Sequence, residues 1–269
     1  MKNVLTIAGS DSSGGAGIQA DLKTFAAHGV FGMSVITAVT AQNTQGVFAV
    51  QDITPAIIAR QIDAVFDDIA VDAVKIGMVS QAATIQAIAA KLKEYAAPNI
   101  IVDPVMVSSK GDYHLLSPDA ENLLIHELLP QAILVTPNIP EAEVIAGKTI
   151  RTLPDMEAAA KTIWELGPHN VLIKGGHLAG DSTDILYDGT AFAYFRARRI
   201  ATKNTHGTGC TLSSAIAANL GRGLSVAEAV AAAKEYITTA IEHSLSLGKG
   251  AGPTHHFYSL YKRAGMLEE

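Results

Sequence analysis

The segment Asn204-Thr-His-Gly-Thr-Gly-Cys210 stands immediately before a helical stretch, residues 211–220. Gly207, Thr208 and Gly209 are expected to present backbone N–H groups at that helix N-terminus, where the positive end of the dipole favours an anion. Charge on a transferring phosphoryl group would be stabilised there. In the same field the thiol of Cys210 is expected to have a lowered pKa and to favour thiolate. A thiolate so placed can take a proton from an attacking hydroxyl. A small cysteine packed at a tight turn fits the same pattern. Cys210 with His206 also raises a cysteine hydrolase, but that chemistry needs the imidazole held by a third group, and the sequence names none.

Other segments carry groups of matching chemistry. Gly9-Ser-Asp-Ser-Ser-Gly-Gly-Ala-Gly17 is a glycine-rich turn able to bring backbone close to a ligand. It has neither the lysine of a phosphate-binding P-loop nor the spacing of a dinucleotide fingerprint, and Asp11 or Ser12 could equally serve there to satisfy orphan amides. Asp103 ends Ile100-Ile-Val-Asp103, and Glu141 lies in Thr136-Pro-Asn-Ile-Pro-Glu141. One carboxylate from each of two neighbouring strands suits Mg²⁺, which keeps several waters and takes its other oxygens from substrate phosphates. Helix capping by Asn138 or Glu141 explains the second segment equally well. Lys174, at a strand end, could reach nucleotide phosphates or lie on the surface. The glycines from Gly175 to Gly180 mimic a P-loop, but Asp181 stands where the lysine must be and would repel phosphate. His255 and His256 are adjacent, unlike helical metal ligands, and are expected at the surface.

The elements that must position these residues alternate. Apolar runs at 4–8, 34–41, 73–76, 100–104, 133–136 and 171–174 are expected strands, several of them continuous enough to be covered on both faces. Between them, 17–28, 55–68, 81–95, 118–128 and 156–166 are expected helices. Such alternation predicts an α/β fold with right-handed crossovers and a doubly wound sheet. Ligands of such sheets lie beyond the carboxyl ends of the strands, where most of the residues above fall. Later, 184–187 and 191–199 around Asp188-Gly189 predict a hairpin with a type I′ turn. Helices follow at 210–220 and 226–245, the second with a capping box at Ser225 and Glu228. No repeat or linker interrupts the chain, so one domain, 1–269, is expected.

Composition narrows the partners. Of the 269 residues, 48% are hydrophobic and 17% charged, enough apolar material for a buried core. The net charge of −6 offers no footprint for nucleic acid; Arg196-Ala-Arg-Arg199 is a short, solvated strand edge. A single cysteine allows no internal disulfide. No apolar run has the length of a membrane span or of a signal-peptide core, so a cytoplasmic protein is expected, with no membrane partner.

Taken in order, these segments resemble the ribokinase-like superfamily, and within it the hydroxymethylpyrimidine/phosphomethylpyrimidine kinases of thiamin biosynthesis. The marks are Leu5 to Ser12 through Asp21, Ala38 to Thr44 around Gln42, Lys75-Ile-Gly-Met78, Val102-Asp-Pro-Val-Met106, Thr136-Pro-Asn138 with Glu141, Lys174-Gly-Gly176 and His206 to Cys210. The resemblance implies a three-layer αβα sandwich with a central, mostly parallel doubly wound sheet. It also implies ATP and Mg²⁺ as cofactors and a homodimer. Cys210 would stand where most of the superfamily has an aspartate base, and the amides of Gly207, Thr208 and Gly209 would form the anion hole. Gln42 would hold the aminopyrimidine, with Ala16, Asp21, Met78 and Val105 completing the pocket. Lys174, Asn138 and Thr208 would meet the nucleotide, and Asp103 and Glu141 the metal. The implied reaction phosphorylates the hydroxymethylpyrimidine and then its monophosphate.

Two rivals remain at this stage. A pyridoxal kinase acts on a similar hydroxymethyl heteroaromatic, and a neutral pocket separates such rings weakly. A sensor that binds pyrimidine or ATP without turnover would not need a metal carboxylate pair together with a base. Segments 107–113 and 203–207 are expected to be mobile lids.

Overall fold

The computed structural model describes residues 1–106, 116–176 and 181–267. Its elements run β1 (Asn3–Asp11), α1 (Gly17–Ala27), β2 (Phe31–Asn43), β3 (Gly46–Asp52), α2 (Pro55–Phe66), β4 (Ala73–Ile76), α3 (Ala82–Glu94) and β5 (Ile100–Val102). They continue with α4 (Pro118–Leu123), β6 (Leu134–Val135), α5 (Ile139–Ala146), α6 (Leu153–Trp164), β7 (Val171–Ile173), β8 (Ser182–Tyr187), β9 (Phe192–Ala197), α7 (Thr208–Gly221), α8 (Val226–Glu242) and α9 (Tyr258–Arg263). The strands form one sheet in the order β3-β2-β1-β4-β5-β6-β7-β8-β9. From β2 to β7 neighbours are parallel; β3, β8 and β9 join antiparallel at the edges.

Period-two alternation along the strands divides the apolar residues into two layers. Val4, Ala73, Ile101, Leu134 and Leu172 pack under α1, α7 and α8. Their neighbours Leu5, Val74, Val102, Val135 and Ile173 pack under α2, α3, α5 and α6. The result is the expected three-layer αβα sandwich. Because β1 pairs with both β2 and β4, the winding reverses there, and a crevice opens beyond the carboxyl ends of these strands. The end of β1, the start of α1 and the start of α7 all meet at that crevice.

Local chemistry sets the element boundaries. Capping boxes start α5 (Asn138, Glu141), α6 (Thr152, Asp155) and, as expected, α8 (Ser225, Glu228). The hairpin of β8 and β9 forms, but not through a type I′ turn. Tyr187 pairs with Phe192, leaving four residues in the loop, and of Asp188 and Gly189 only the glycine has a positive φ. A type I′ turn needs both. Segment 203–207 is no lid: Asn204 and His206 are buried and bonded to Gly252. The other expected lid, 107–113, lies outside the described residues. His256 is buried with its ring on Thr211 Oγ1, correcting the surface expectation. Among the described residues no helix is long and apolar enough to cross a membrane.

Candidate active site

Gly207 takes a left-handed conformation, φ 76°, and opens α7. A Cβ at this position would stand 1.8 Å from the Gly15 carbonyl oxygen, so only glycine fits. The N–H and hydroxyl of Thr208 both turn back to the Thr205 carbonyl. The N–H groups of Gly207, Gly209 and Cys210 have no protein acceptor among the described residues, so these three, rather than that of Thr208, are open to an anion. The Gly17 N–H at the start of α1 points to the Cys210 sulfur, so two helix N-termini converge on the thiol. Even so, the expected lowering of its pKa is corrected. Burial pushes the thiol up to about 11, and the Asp21 and Asp103 carboxylates add to the rise against the opposition of Lys75 and Gly17. Removing a thiolate from water beside two anions outweighs the helix dipole.

Beside this loop lies a charged centre. Lys174 Nζ, at the end of β7, donates to Asp103 Oδ1 at 2.8 Å. Thr136 donates to the same oxygen, and Ser213 of α7 donates to Oδ2. Gly209 faces both partners: a Cβ there would lie 3.5 Å from Lys174 Nζ and 3.7 Å from Asp103 Oδ2. Glu141 is buried, with Oε2 accepting the Asn138 N–H, while Asn138 Oδ1 accepts the Glu141 N–H. The capping reading therefore holds for both residues, and the carboxylate still belongs to the centre electrostatically. Burial raises Glu141 to about 7; Lys174 opposes the rise and Asp103 adds to it. Burial would lower Lys174, but Asp103 and Glu141 hold it above its ordinary value. Asp103 and the partly protonated Glu141 offer carboxyl oxygens beside the Lys174 ammonium, and a divalent cation would favour the ionised form of Glu141. Mg²⁺ needs only one or two protein carboxylates, its other oxygens coming from phosphate and water. Asp103, Glu141 and Lys174 thus suit a nucleotide-bound magnesium.

Across the crevice stand the glycine-rich loop and the end of β2. Ser12 Oγ lies 2.9 Å from the Gln42 N–H, which it accepts, and 2.8 Å from the Gln42 carbonyl. Thr40 Oγ1 lies 3.0 Å from Gln42 Oε1, fixing one end of the side-chain amide and leaving Nε2 without a partner among the described residues. Ala16 precedes α1 without a side-chain cap. Met78 and Val105, after β4 and β5, are half-buried, and a Cβ on Gly9 would meet Met78 Cε at 2.7 Å. The loop end of β1 and the thioether are thus in contact.

Asp21 requires a correction. Its side chain has no exposed surface and accepts from Lys75, Thr6 and Ser214, so it lies behind the pocket rather than in it. Its partner Lys75 is equally buried, and the charge of Lys75 acts on both Cys210 and Asp103. The signal for Lys75 was visible as a lysine inside a strand otherwise fully apolar. The loop 244–254 was missed altogether: Thr44 Oγ1 accepts the Gly250 N–H, Thr44 O accepts the Ala251 N–H, and Gly252 closes on Asn204. The hydrolase reading also falls: Asp11 holds the His206 ring, 2.8 Å from Nε2, but among the described residues that ring makes no hydrogen bond to Cys210, whose sulfur receives the Gly17 N–H instead. Gly175 spends its N–H on Asp184 and packs against the Thr183 carbonyl, which leaves no P-loop there; residues 177–180 lie outside the described residues.

The chain is similar to known kinases. A family model described as phosphomethylpyrimidine kinase matches residues 11–255. A hydroxymethylpyrimidine/phosphomethylpyrimidine kinase of Rhizobium meliloti is 54% identical over 96% of this chain and 98% of its own length. A thiamine biosynthesis bifunctional protein of Geobacter sulfurreducens is 56% identical over 94% of this chain, which spans only 52% of that protein. An ADP complex of Bacillus subtilis pyridoxal kinase superposes with a TM-score of 0.89 at 41% identity, covering 97% of this chain and 99% of that one.

Proposed function

Since the chain belongs to the phosphomethylpyrimidine kinase family, we propose that it transfers the γ-phosphoryl group of ATP to 4-amino-5-hydroxymethyl-2-methylpyrimidine and then to the monophosphate so formed. Its place is in thiamin biosynthesis. It is a kinase, and one observation carries the assignment of its site. Cys210 and the free amides of Gly207 and Gly209 stand at the start of α7, with Asp103 and Lys174 on one side and the Gln42–Ala16 wall on the other.

In this reading the unpaired Gln42 Nε2 binds the heteroaromatic ring, with backbone at Ala16 and Val105 and the Met78 side chain closing the pocket. Lys174 meets the phosphates of ATP, and Asn138 holds Glu141 in place. The hydroxymethyl oxygen attacks the γ-phosphorus, the bond from phosphorus to the β-bridging oxygen breaks, and ADP leaves. The alcohol proton passes to the sulfur of Cys210 in its thiolate form, leaving the neutral thiol. With the thiol raised to about 11, that form is the minor one at rest and arises by loss of the thiol proton to water, so proton transfer accompanies a late stage of a loose, positioning-dominated transfer. The amides of Gly207 and Gly209 stabilise the charge spread over the equatorial oxygens. Asp103 and Glu141 would hold Mg²⁺, which would neutralise charge on the ATP phosphates.

Residues 1–269 act as one catalytic domain, and the single nine-stranded sheet supports this. Two copies pair as a homodimer in the cytoplasm; exposed Val39 and Phe48 on β2 and β3 offer apolar surface for the pairing, and light scattering on the purified chain tests it. The likeness to a pyridoxal kinase gives a second reading, vitamin B6 phosphorylation at the same centre. Initial rates of ADP release with Mg-ATP against the pyrimidine, its monophosphate, pyridoxal, pyridoxine and ribose separate the two. Turnover of both pyrimidines with pyridoxal much slower supports the first reading; preference for pyridoxal with the monophosphate ignored supports the second.

A further inference from the structure

Asp11 and His206 take no part in the chemistry above, yet both are buried, 3% and 6% exposed. Asp11 ends β1 and His206 stands one residue before the anion loop. His206 Nε2 donates to Asp11 Oδ2 at 2.8 Å. That same oxygen accepts the N–H groups of Gly15 and Ala16, while Oδ1 accepts the N–H and hydroxyl of Ser13. One carboxylate therefore gathers five donors, four from the glycine-rich loop and one from the anion loop. The backbone N–H of His206 donates to the Gly252 carbonyl. No slack remains between the two loops: a Cβ on Gly15 would lie 2.3 Å from His206 Cδ2, and one on Gly207 would lie 1.8 Å from the Gly15 oxygen.

We propose that Asp11 and His206 form a positioning brace that fixes the distance between the substrate-side backbone at Ala16 and the phosphoryl-side amides at 207–210. The inference rests on the kinase reading for what the two walls hold, but the brace itself is a property of the ligand-free protein. The acceptor alcohol is placed by one loop and the γ-phosphoryl group by the other, so their separation decides how often they stand in line. A displacement of about 1 Å in such a geometry can cost roughly 10²-fold in rate. Both residues act through the backbone they hold. A histidine suits the task because its ring bridges the loops with a single rigid donor, whereas a flexible lysine would leave the gap adjustable.

The test compares His206→Leu, His206→Gln, Asp11→Asn and the double variant Asp11→Asn/His206→Leu with the parent chain. His206→Leu is expected to lower kcat by about 10–100-fold while leaving KM for ATP within about twofold, because Lys174 and the carboxylates stay in place. His206→Gln, whose amide can still donate to Asp11, is expected to recover most of the loss. The double variant is expected to be no worse than the poorer single, as for two residues acting as one unit. Hydrogen exchange on the ligand-free proteins gives a readout independent of turnover. In His206→Leu the amides of 13–16 and the bonded amides of residues 206, 208 and 211 are expected to exchange faster together, although only one loop carries the change. The proposal is overturned by kcat within twofold of the parent with unaltered exchange, or by faster exchange confined to 206–211. Equal loss in the glutamine variant likewise overturns it. If His206→Leu does not fold, His206→Gln and Asp11→Asn carry the same exchange comparison. Failure of the parent to form ADP with either pyrimidine counts against the kinase reading and leaves the exchange result to decide the brace.

Discussion

Lys75 Nζ lies 2.9 Å from Asp21 Oδ2, and neither side chain has any exposed surface. This pair sits under α7 with Ser214 and Thr6 donating to the same carboxylate. Breaking a buried pair strands the remaining charge, at a cost of about 3–5 kcal/mol, whereas removing both partners together costs much less. Lys75→Met is therefore expected to shift the denaturant midpoint strongly downward, and Lys75→Met/Asp21→Leu to recover part of that shift. Urea unfolding of the three proteins checks the order. A double variant less stable than Lys75→Met would contradict it.

Gly207→Ala places a methyl group 1.8 Å from the Gly15 carbonyl oxygen at a φ of 76°. Strain at a left-handed position alone costs more than about 1 kcal/mol, and here the two walls of the site must also separate. The variant is expected to lose at least tenfold in kcat while remaining folded by circular dichroism. Gly223→Ala is the matched control, because it shares a left-handed φ and meets no neighbour within 4 Å; that variant is expected to lose stability without losing rate per folded molecule.

Cys210→Ala removes the proposed proton acceptor but leaves the amides. A positioned acid–base group is typically worth roughly 10²–10⁴-fold, and kcat under saturating ATP is expected to fall within that range. An unchanged kcat would take Cys210 out of proton transfer and leave positioning by the loop as the whole of catalysis.

Acid stability follows from Asp11. Burial alone would raise its pKa, but the bonds from His206 and Ser13 bring it down to about 2 from the ordinary 3.8. A depressed folded-state value means that the stabilisation, about 2 kcal/mol, is fully present above pH 4 and lost as pH falls from 4 towards 2. The advantage of the parent over Asp11→Asn in thermal unfolding is expected to shrink across that interval. A constant difference from pH 6 to pH 2.5 would contradict the sign.

The central strands were legible because burial on both faces leaves unbroken Val, Ile and Leu runs, as in Ile100–Val102 and Val171–Ile173. β3 was not, since exposed Phe48, Ala49 and Gln51 blur its alternation. The crevice residues could be named from their places after strands, but their burial could not. That is why the Cys210 thiol was expected low when its neighbours Asp21 and Asp103 drive it high. Asp21 itself showed an anion on α1 and nothing of Lys75 closing over it from β4. His206 carried no readable partner because Asp11 stands 195 residues away in the chain. Pairings of that range arise from topology, which local patterns do not encode.

The most direct test of the central claim follows product identity with time. The purified chain is incubated with Mg-ATP and the hydroxymethylpyrimidine, and the pyrimidine species are resolved by mass. The account predicts the monophosphate first, then its conversion to the diphosphate, with one ADP formed at each step and both steps slowed in Cys210→Ala. ATP left intact with either pyrimidine, while pyridoxal is phosphorylated under the same conditions, would contradict it.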